Sequence, residues 1–209
     1  MKAPTDETLL KEYTAGKTAS FDILVRRHAR ELHQFVQRFT RNAVTADDVV
    51  QETFLQVHTS AASFDPSRRF KPWLFTIGAN KARDFLRARN RKREVPLDAQ
   101  VGGDEDSSGQ RFVDLLSGDS ATPDADMGLD EKRRQVQEVV ADMPAKLCEV
   151  LILAYYHRFS YKDIAEVMGI PLGTVKSRLH AAVADFGERY RTAREVASDS
   201  QSEANPERR

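Results

Sequence analysis

The segment Ser160 to Phe186, SYKDIAEVMGIPLGTVKSRLHAAVADF, leaves this chain the fewest choices. Ser160 is placed to cap a helix, with Asp163 three residues on, the spacing at which side chain and backbone satisfy each other's donors. Ile164, Ala165 and Met168 are expected as the inner face of that helix, and Gly169 supplies a tight turn that a Cβ would resist. Pro171 to Gly173 lead into a second helix whose inward ridge is Val175, Leu179, Val183 and Phe186. Small Ala165 and Gly169 stand where the two helices would cross closely. This is the pattern of a helix-turn-helix, whose second helix sets its first turns in the major groove of duplex DNA. Lys176, Ser177, Arg178 and His180 fall outward near its start. A helical hairpin without DNA contacts is the plainer alternative.

A second stretch, Phe64 to Arg93, interleaves Phe64, Phe70, Trp73, Phe75 and Phe85 with ten basic residues against only Asp65 and Asp84. Rings stack on unpaired bases while guanidinium and ammonium groups track phosphates, so the composition suits a single-strand nucleic-acid surface. Aromatic residues at helical spacing are also ordinary core, and a basic face is often simply solvated. Asp65-Pro66-Ser67 reads as a turn, and Pro72 as the start of a helix. Phe70, Trp73 and Phe75 cannot all point inward with Leu74, Ile77, Phe85 and Leu86, so at least one ring is expected to be partly exposed. Asn80, Lys81 and Arg83 fall on the polar side.

Upstream, Thr5 to Thr14 reads as a short helix stopped near Gly16, and Ser20 is placed to cap a longer one carrying Phe21, Leu24, Val25, Leu32, Phe35, Val36 and Phe39. His28 and His33 are five apart, off the spacing of a helical metal pair, and read as structural. A third helix is expected from Thr45, capped with Asp48, its buried stripe being Val49, Val50, Thr53, Phe54 and Val57. Asp48 and Glu52 form a like-charge pair four apart on another of its faces, which slightly opposes local stability and suggests a basic partner. Helices are also expected over Leu129 to Met143 and Ala145 to Arg158.

The formal net charge is +0, but as a cancellation: Glu94 to Glu131 holds eleven acids against Arg111 alone. Gly102-Gly103, Ser107-Ser108-Gly109 and Pro123 break any period there, so an extended, self-repelling linker is expected, with at most a short helix near Phe112 to Leu116. The single Cys148 permits no internal disulfide. No run approaches the roughly 18 apolar residues of a membrane span, and MKAPTDETLL carries no secretory hydrophobic region, so membrane insertion is not expected and a cytoplasmic location is. Nucleotide-loop, thiol-pair and nucleophile-elbow motifs are absent; neither an enzyme nor a cofactor or metal site is expected.

With these segments in view, the chain resembles bacterial sigma factors of the extracytoplasmic-function (ECF) type, compact sigma-70 relatives that keep the second and fourth conserved regions. TRNAVTADDVVQETFLQV, FDPSRRFKPWLFTIGANKARDFLR and YKDIAEVMGIPLGTVKSRL carry the resemblance. It implies an all-α chain of two small helical domains, one over 1–95 and a helix-turn-helix domain over 131–195; composition adds the acidic flexible linker over 96–130, longer and more charged than a minimal family member would carry, and a disordered tail over 196–209. It implies core RNA polymerase as partner at Asp47, Asp48, Gln51 and Glu52. It implies the melted strand of promoter DNA at Phe64, Arg68, Arg69, Phe70, Lys71, Trp73, Asn80, Lys81, Arg83 and Arg87, with a base flipped out of the stack. It implies the upstream promoter duplex at Thr174, Lys176, Ser177, Arg178 and His180. A cognate anti-sigma factor is common in the family, though no motif here names one. The alternatives are a polymerase-independent helix-turn-helix regulator and a sigma mimic that sequesters a regulator.

Overall fold

The computed structural model describes residues 3–91 and 127–203, and every regular element among them is helical. Helices α1 (Asp6–Thr14), α2 (Thr18–Thr40) and α3 (Ala43–Ser60) lead through a 3-10 turn (Ala61–Ser63) to α4 (Phe70–Arg91). Then come α5 (Met127–Asp142), α6 (Ala145–Leu151), a π-helical turn (Ile152–Tyr156), α7 (Tyr161–Met168) and α8 (Leu172–Glu203). The expected acidic linker, with the helix near Phe112 to Leu116, lies outside the described residues, except that 127–130 already belong to α5. The described residues divide into two compact units, 3–91 with 159–172 and 127–158 with 173–203. By contact, therefore, α7 groups with α1 to α4, although in sequence it falls within the module expected over 131–195.

The first unit buries Leu9 and Leu10 of α1, Leu24, Leu32, Phe35 and Val36 of α2, Ala46 and Val57 of α3, and Phe70, Leu74 and Phe75 of α4. Each large side chain withdrawn from water contributes about 1.5–3 kcal/mol, so this core rather than helix propensity holds the bundle. Gly78 of α4 is the point of closest approach. A Cβ there would lie 2.8 Å from Leu32 Cδ1 of α2 and 3.5 Å from Thr53 Oγ1 of α3.

Three helix starts differ from expectation. Asn42, not Thr45, caps α3: its Oδ1 accepts from the Thr45 N–H at 3.0 Å, and Thr45 is buried. An Asn side chain is a strong cap, and using it gains three residues of helix. Ser20 lies inside α2, where it donates to Glu12 Oε2 of α1 at 2.7 Å, while the turn before α2 rests on Gly16 at φ +101°. Pro72 is the third residue of α4 rather than the first, still in the turn where a missing N–H breaks no helical bond.

In the second unit Val136, Val139, Val140 and Met143 are buried as the periodicity of α5 requires, and Cys148 is buried and forms no disulfide. The helix expected to Arg158 ends its α-helical part at Leu151, and Arg158 takes φ 51°. Val175, Leu179, Ala182 and Phe186 form the buried ridge of α8, with Val183 only half-buried. The tail expected to be disordered from 196 is helical as far as Glu203. Extending an existing helix adds a hydrogen bond per residue without a new nucleus, so composition alone did not fix its end.

Candidate polymerase and nucleic-acid interfaces

The buried side of α3 is Thr45, Ala46, Val49, Thr53, Phe54 and Val57, which turns Asp47, Asp48, Gln51 and Glu52 to solvent. Asp47 Oδ1 lies 3.2 Å from His33 Nε2 of α2, and Glu52 Oε2 accepts from Lys81 Nζ of α4 at 3.0 Å. Asp48 has no cation partner among the described residues. Two large apolar side chains share this face, Val44 at 70% and Leu55 at 64% exposure. Val44, Asp48, Gln51 and Leu55 follow one another at helical spacing and make a single exposed stripe.

The connector into α4 is shaped by Asp65, whose Oδ1 accepts from the Ser67 N–H at 2.9 Å, and that hydrogen bond holds the Asp65 carboxyl below the usual range. Phe64 is half-buried, its ring 4.8 Å from that of Trp73, which is also half-buried. Phe70 is 0% exposed, and its N–H donates to Glu7 Oε1 of α1 at 2.9 Å. A groove of about 450 Å³ opens beside this connector, lined by Glu7, Thr8, Lys11, Ala61, Phe64 and Pro66.

Every cation predicted to meet the melted strand has a partner within the chain. Lys71 Nζ donates to Glu31 Oε1 at 2.6 Å and Arg87 to Asp84 at 2.6 Å. Arg68 Nε donates to Glu166 Oε1 of α7 at 2.9 Å, Arg69 donates to Asp163, and Arg83 donates to Asn80 Oδ1 at 2.5 Å and to the Val167 carbonyl at 2.9 Å. Asn80 is exposed. Binding a phosphate here exchanges an existing contact, with a carboxylate for Arg68, Arg69, Lys71, Lys81 and Arg87, for a new one and gains less than a bare cation would.

Helix α7 begins with the capping box read from sequence: Ser160 Oγ and the Asp163 backbone and carboxylate satisfy one another, and Gly169 closes the helix at φ 64°. Its buried residues are Asp163, Ile164 and Val167, with Ala165 and Met168 only half-buried, one step round from the expected inner face. On the first turns of α8, Lys176 and Ser177 are exposed, whereas Thr174 and Arg178 are half-buried. His180 is half-buried too, and its Nε2 is enclosed without a hydrogen-bond partner.

The Sigma-70 region 2 model matches residues 24–92, and the Sigma-70 region 4 model matches residues 133–186. The chain is 30% identical to the ECF RNA polymerase sigma factor SigW of Bacillus subtilis, over 82% of this chain and 89% of that one. It is 31% identical to the RNA polymerase sigma-H factor of Pseudomonas aeruginosa, over 85% and 89%. The chain belongs to the ECF RNA polymerase sigma factors. Among solved structures, the sigma factor resembles CnrH in its complex with the cytosolic domain of CnrY, at TM-score 0.61 and 26% identity, over 88% of this chain and 95% of that one. The sigma factor RpoE from Bartonella quintana, solved with the anti-sigma factor NepR, shares the fold at TM-score 0.59 and 22% identity, over 82% and 96%.

In this sigma factor α3 and α4 bring the acidic and basic candidates into one bundle, while Thr174 to His180 lie in the other unit. Phe70, expected among the residues at the melted strand, is 0% exposed and fills the core under the connector, whereas Phe64 and Trp73 are half-buried. Val44 and Leu55 escaped sequence reasoning, which treated α3 as a charged face. The signal was present, since neither fits the buried stripe beginning at Val49. No helix among the described residues is long and apolar enough to cross a membrane.

Proposed function

We propose that the sigma factor docks on core RNA polymerase through Asp47, Asp48, Gln51 and Glu52 of α3 and grips the melted promoter strand through the connector and α4. The observation that carries this reading is the opposed chemistry of two neighbouring helices. Exposed carboxylates on α3 suit a cationic partner, and α4 with its connector offers rings and cations. Phe64 and Trp73 give stacking surfaces, and the groove beside Phe64 has the volume to take an extruded base, whose unstacking costs a few kcal/mol that stacking and hydrogen bonds offset. Asn80 is the candidate for hydrogen bonding to a base edge. Arg68, Arg69, Lys71, Lys81, Arg83 and Arg87 exchange their internal partners for phosphates.

On α8, exposed Lys176 and Ser177 lead the reading of the upstream duplex, Arg178 and Thr174 border them, and His180 contributes through its exposed part. The polymerase carries out the chemistry; this chain supplies promoter choice and strand capture, in the compartment where polymerase works. An anti-sigma factor would find its target in the same exposed faces. Reconstitution with core polymerase tests the whole reading: specific transcription from a matched promoter, with promoter thymines reactive to permanganate, is expected. Specific duplex binding without polymerase and no stimulated transcription would favour a conventional helix-turn-helix regulator instead.

A further inference from the structure

Glu52 stands on the face assigned to polymerase and Lys81 on the face assigned to DNA, yet the two are bonded, Nζ to Oε2, at 3.0 Å. The backbone arranges this meeting. Gly78 of α4 faces Thr53 of α3, a Cβ there lying at an ordinary contact distance of 3.5 Å from Thr53 Oγ1, so Glu52, next to Thr53, and Lys81, three residues beyond Gly78, stand on facing lips of the seam between the two helices. Lys81 is the more enclosed partner, its side chain 27% exposed against 63% for Glu52. The carboxylate is thus open to a second cation from outside.

We propose that Glu52 is shared between the two faces: a polymerase cation that takes its carboxylate releases Lys81 to a DNA phosphate, so docking strengthens strand binding. This rests on the assignment of α3 to docking and α4 to the strand. In the free chain a phosphate approaching Lys81 meets the Glu52 carboxylate beside it and must displace it. A guanidinium binding Glu52 through both oxygens removes that competitor and leaves the ammonium unpaired. Linkage makes the effect reciprocal: DNA on Lys81 frees Glu52 for the partner by the same factor.

The test uses the full chain and a labelled mixed-sequence single-stranded DNA of about 12 nucleotides, since a phosphate contact reads no sequence. Fluorescence anisotropy is measured with and without core polymerase for the wild type, Glu52→Gln, Lys81→Gln and the double variant. An exposed ion pair predicts that Glu52→Gln tightens DNA binding by the free chain about 1.5- to 5-fold, and that the gain vanishes in the Lys81→Gln background. With polymerase bound, Glu52→Gln should give no further tightening over the wild type. No tightening in the free chain, or equal tightening with Lys81 replaced, overturns the sharing, since a general field effect would then suffice. A normal result in the free chain, with polymerase affinity unmoved by Asp48→Lys and Glu52→Lys together, overturns it through the docking assignment instead.

Discussion

Replacing Gly78 by alanine asks whether α2, α3 and α4 meet as closely as the structure shows. The new Cβ would lie 2.8 Å from Leu32 Cδ1, about 1 Å inside the ~3.5–4.0 Å optimum for two carbons. Leu32 is 0% exposed, so it must leave its rotamer or push the helices apart, at a cost of about 1–3 kcal/mol. Alanine is better than glycine inside a helix by about 1 kcal/mol, which offsets part of that cost. Gly78→Ala alone should therefore destabilise the first unit by about 0–2 kcal/mol. Leu32→Ala costs about 2–5 kcal/mol by itself but removes the obstructing methyl. In that background Gly78→Ala should stabilise by about 1 kcal/mol, leaving only the helical preference. The reversal of sign is the prediction. Trp73 is the chain's one tryptophan and lies in this unit, so its fluorescence during urea or thermal unfolding reports on the right part of the molecule. A change of 1 kcal/mol moves Tm by about 4–8 °C in a domain of this size. The same sign and size in both backgrounds would refute the close approach of α4 to Leu32 of α2.

Other outcomes follow from the exposed faces and from α1. Asp48→Lys with Glu52→Lys should weaken binding to core polymerase at least tenfold while the circular dichroism spectrum stays helical, and Leu55→Asp should weaken it too, because an exposed apolar side chain in a docking stripe is buried by the partner; titration of labelled chain with core polymerase measures both. Lys176→Ala and Arg178→Ala should each cost about 1–3 kcal/mol on the matched upstream element where they touch bases, and an equal loss on every sequence would make them phosphate contacts. Asp6 is held below its ordinary carboxyl range chiefly by its hydrogen bond with His28, at 2.7 Å, with Arg27 adding to it against the opposing effect of burial. A lowered folded value means this stabilisation is present above about pH 4 and is lost as pH falls through the folded value. Asp6→Asn should then flatten the acid limb of Tm against pH, and an unchanged limb would remove the tie between α1 and α2 from the list of acid-sensitive contacts.

The parts of this protein legible in advance are those that depend on near neighbours in the chain. The Ser160–Asp163 capping box and the turn at Gly169 formed as read, because their partners are within a few residues. The stripe Val136, Val139, Val140 and Met143 was equally plain. Where two local solutions competed, local reading chose less well: Asn42 and Thr45 both qualify as caps, and Ser20 resembles a cap yet bonds to Glu12 of another helix. Faces were set to within one residue. In α7 the buried pair is Ile164 and Val167 because α7 packs against α4, a partner no local period reveals.

Sequence by itself determined that the chain is helical, that an acidic helix precedes a basic and aromatic one, and that a capped pair of helices follows an acidic stretch. Periodicity, caps and charge are properties of short segments, and they survive whatever the rest of the chain does. Tertiary structure alone decided which ring among Phe64, Phe70 and Trp73 goes inside, which carboxylate each cation meets, and that Val44 and Leu55 stay in water. Those outcomes depend on where a distant helix comes to rest. A buried site accepts Phe70 only because α1 and α2 close over it, and Lys81 finds Glu52 only because α4 packs beside α3.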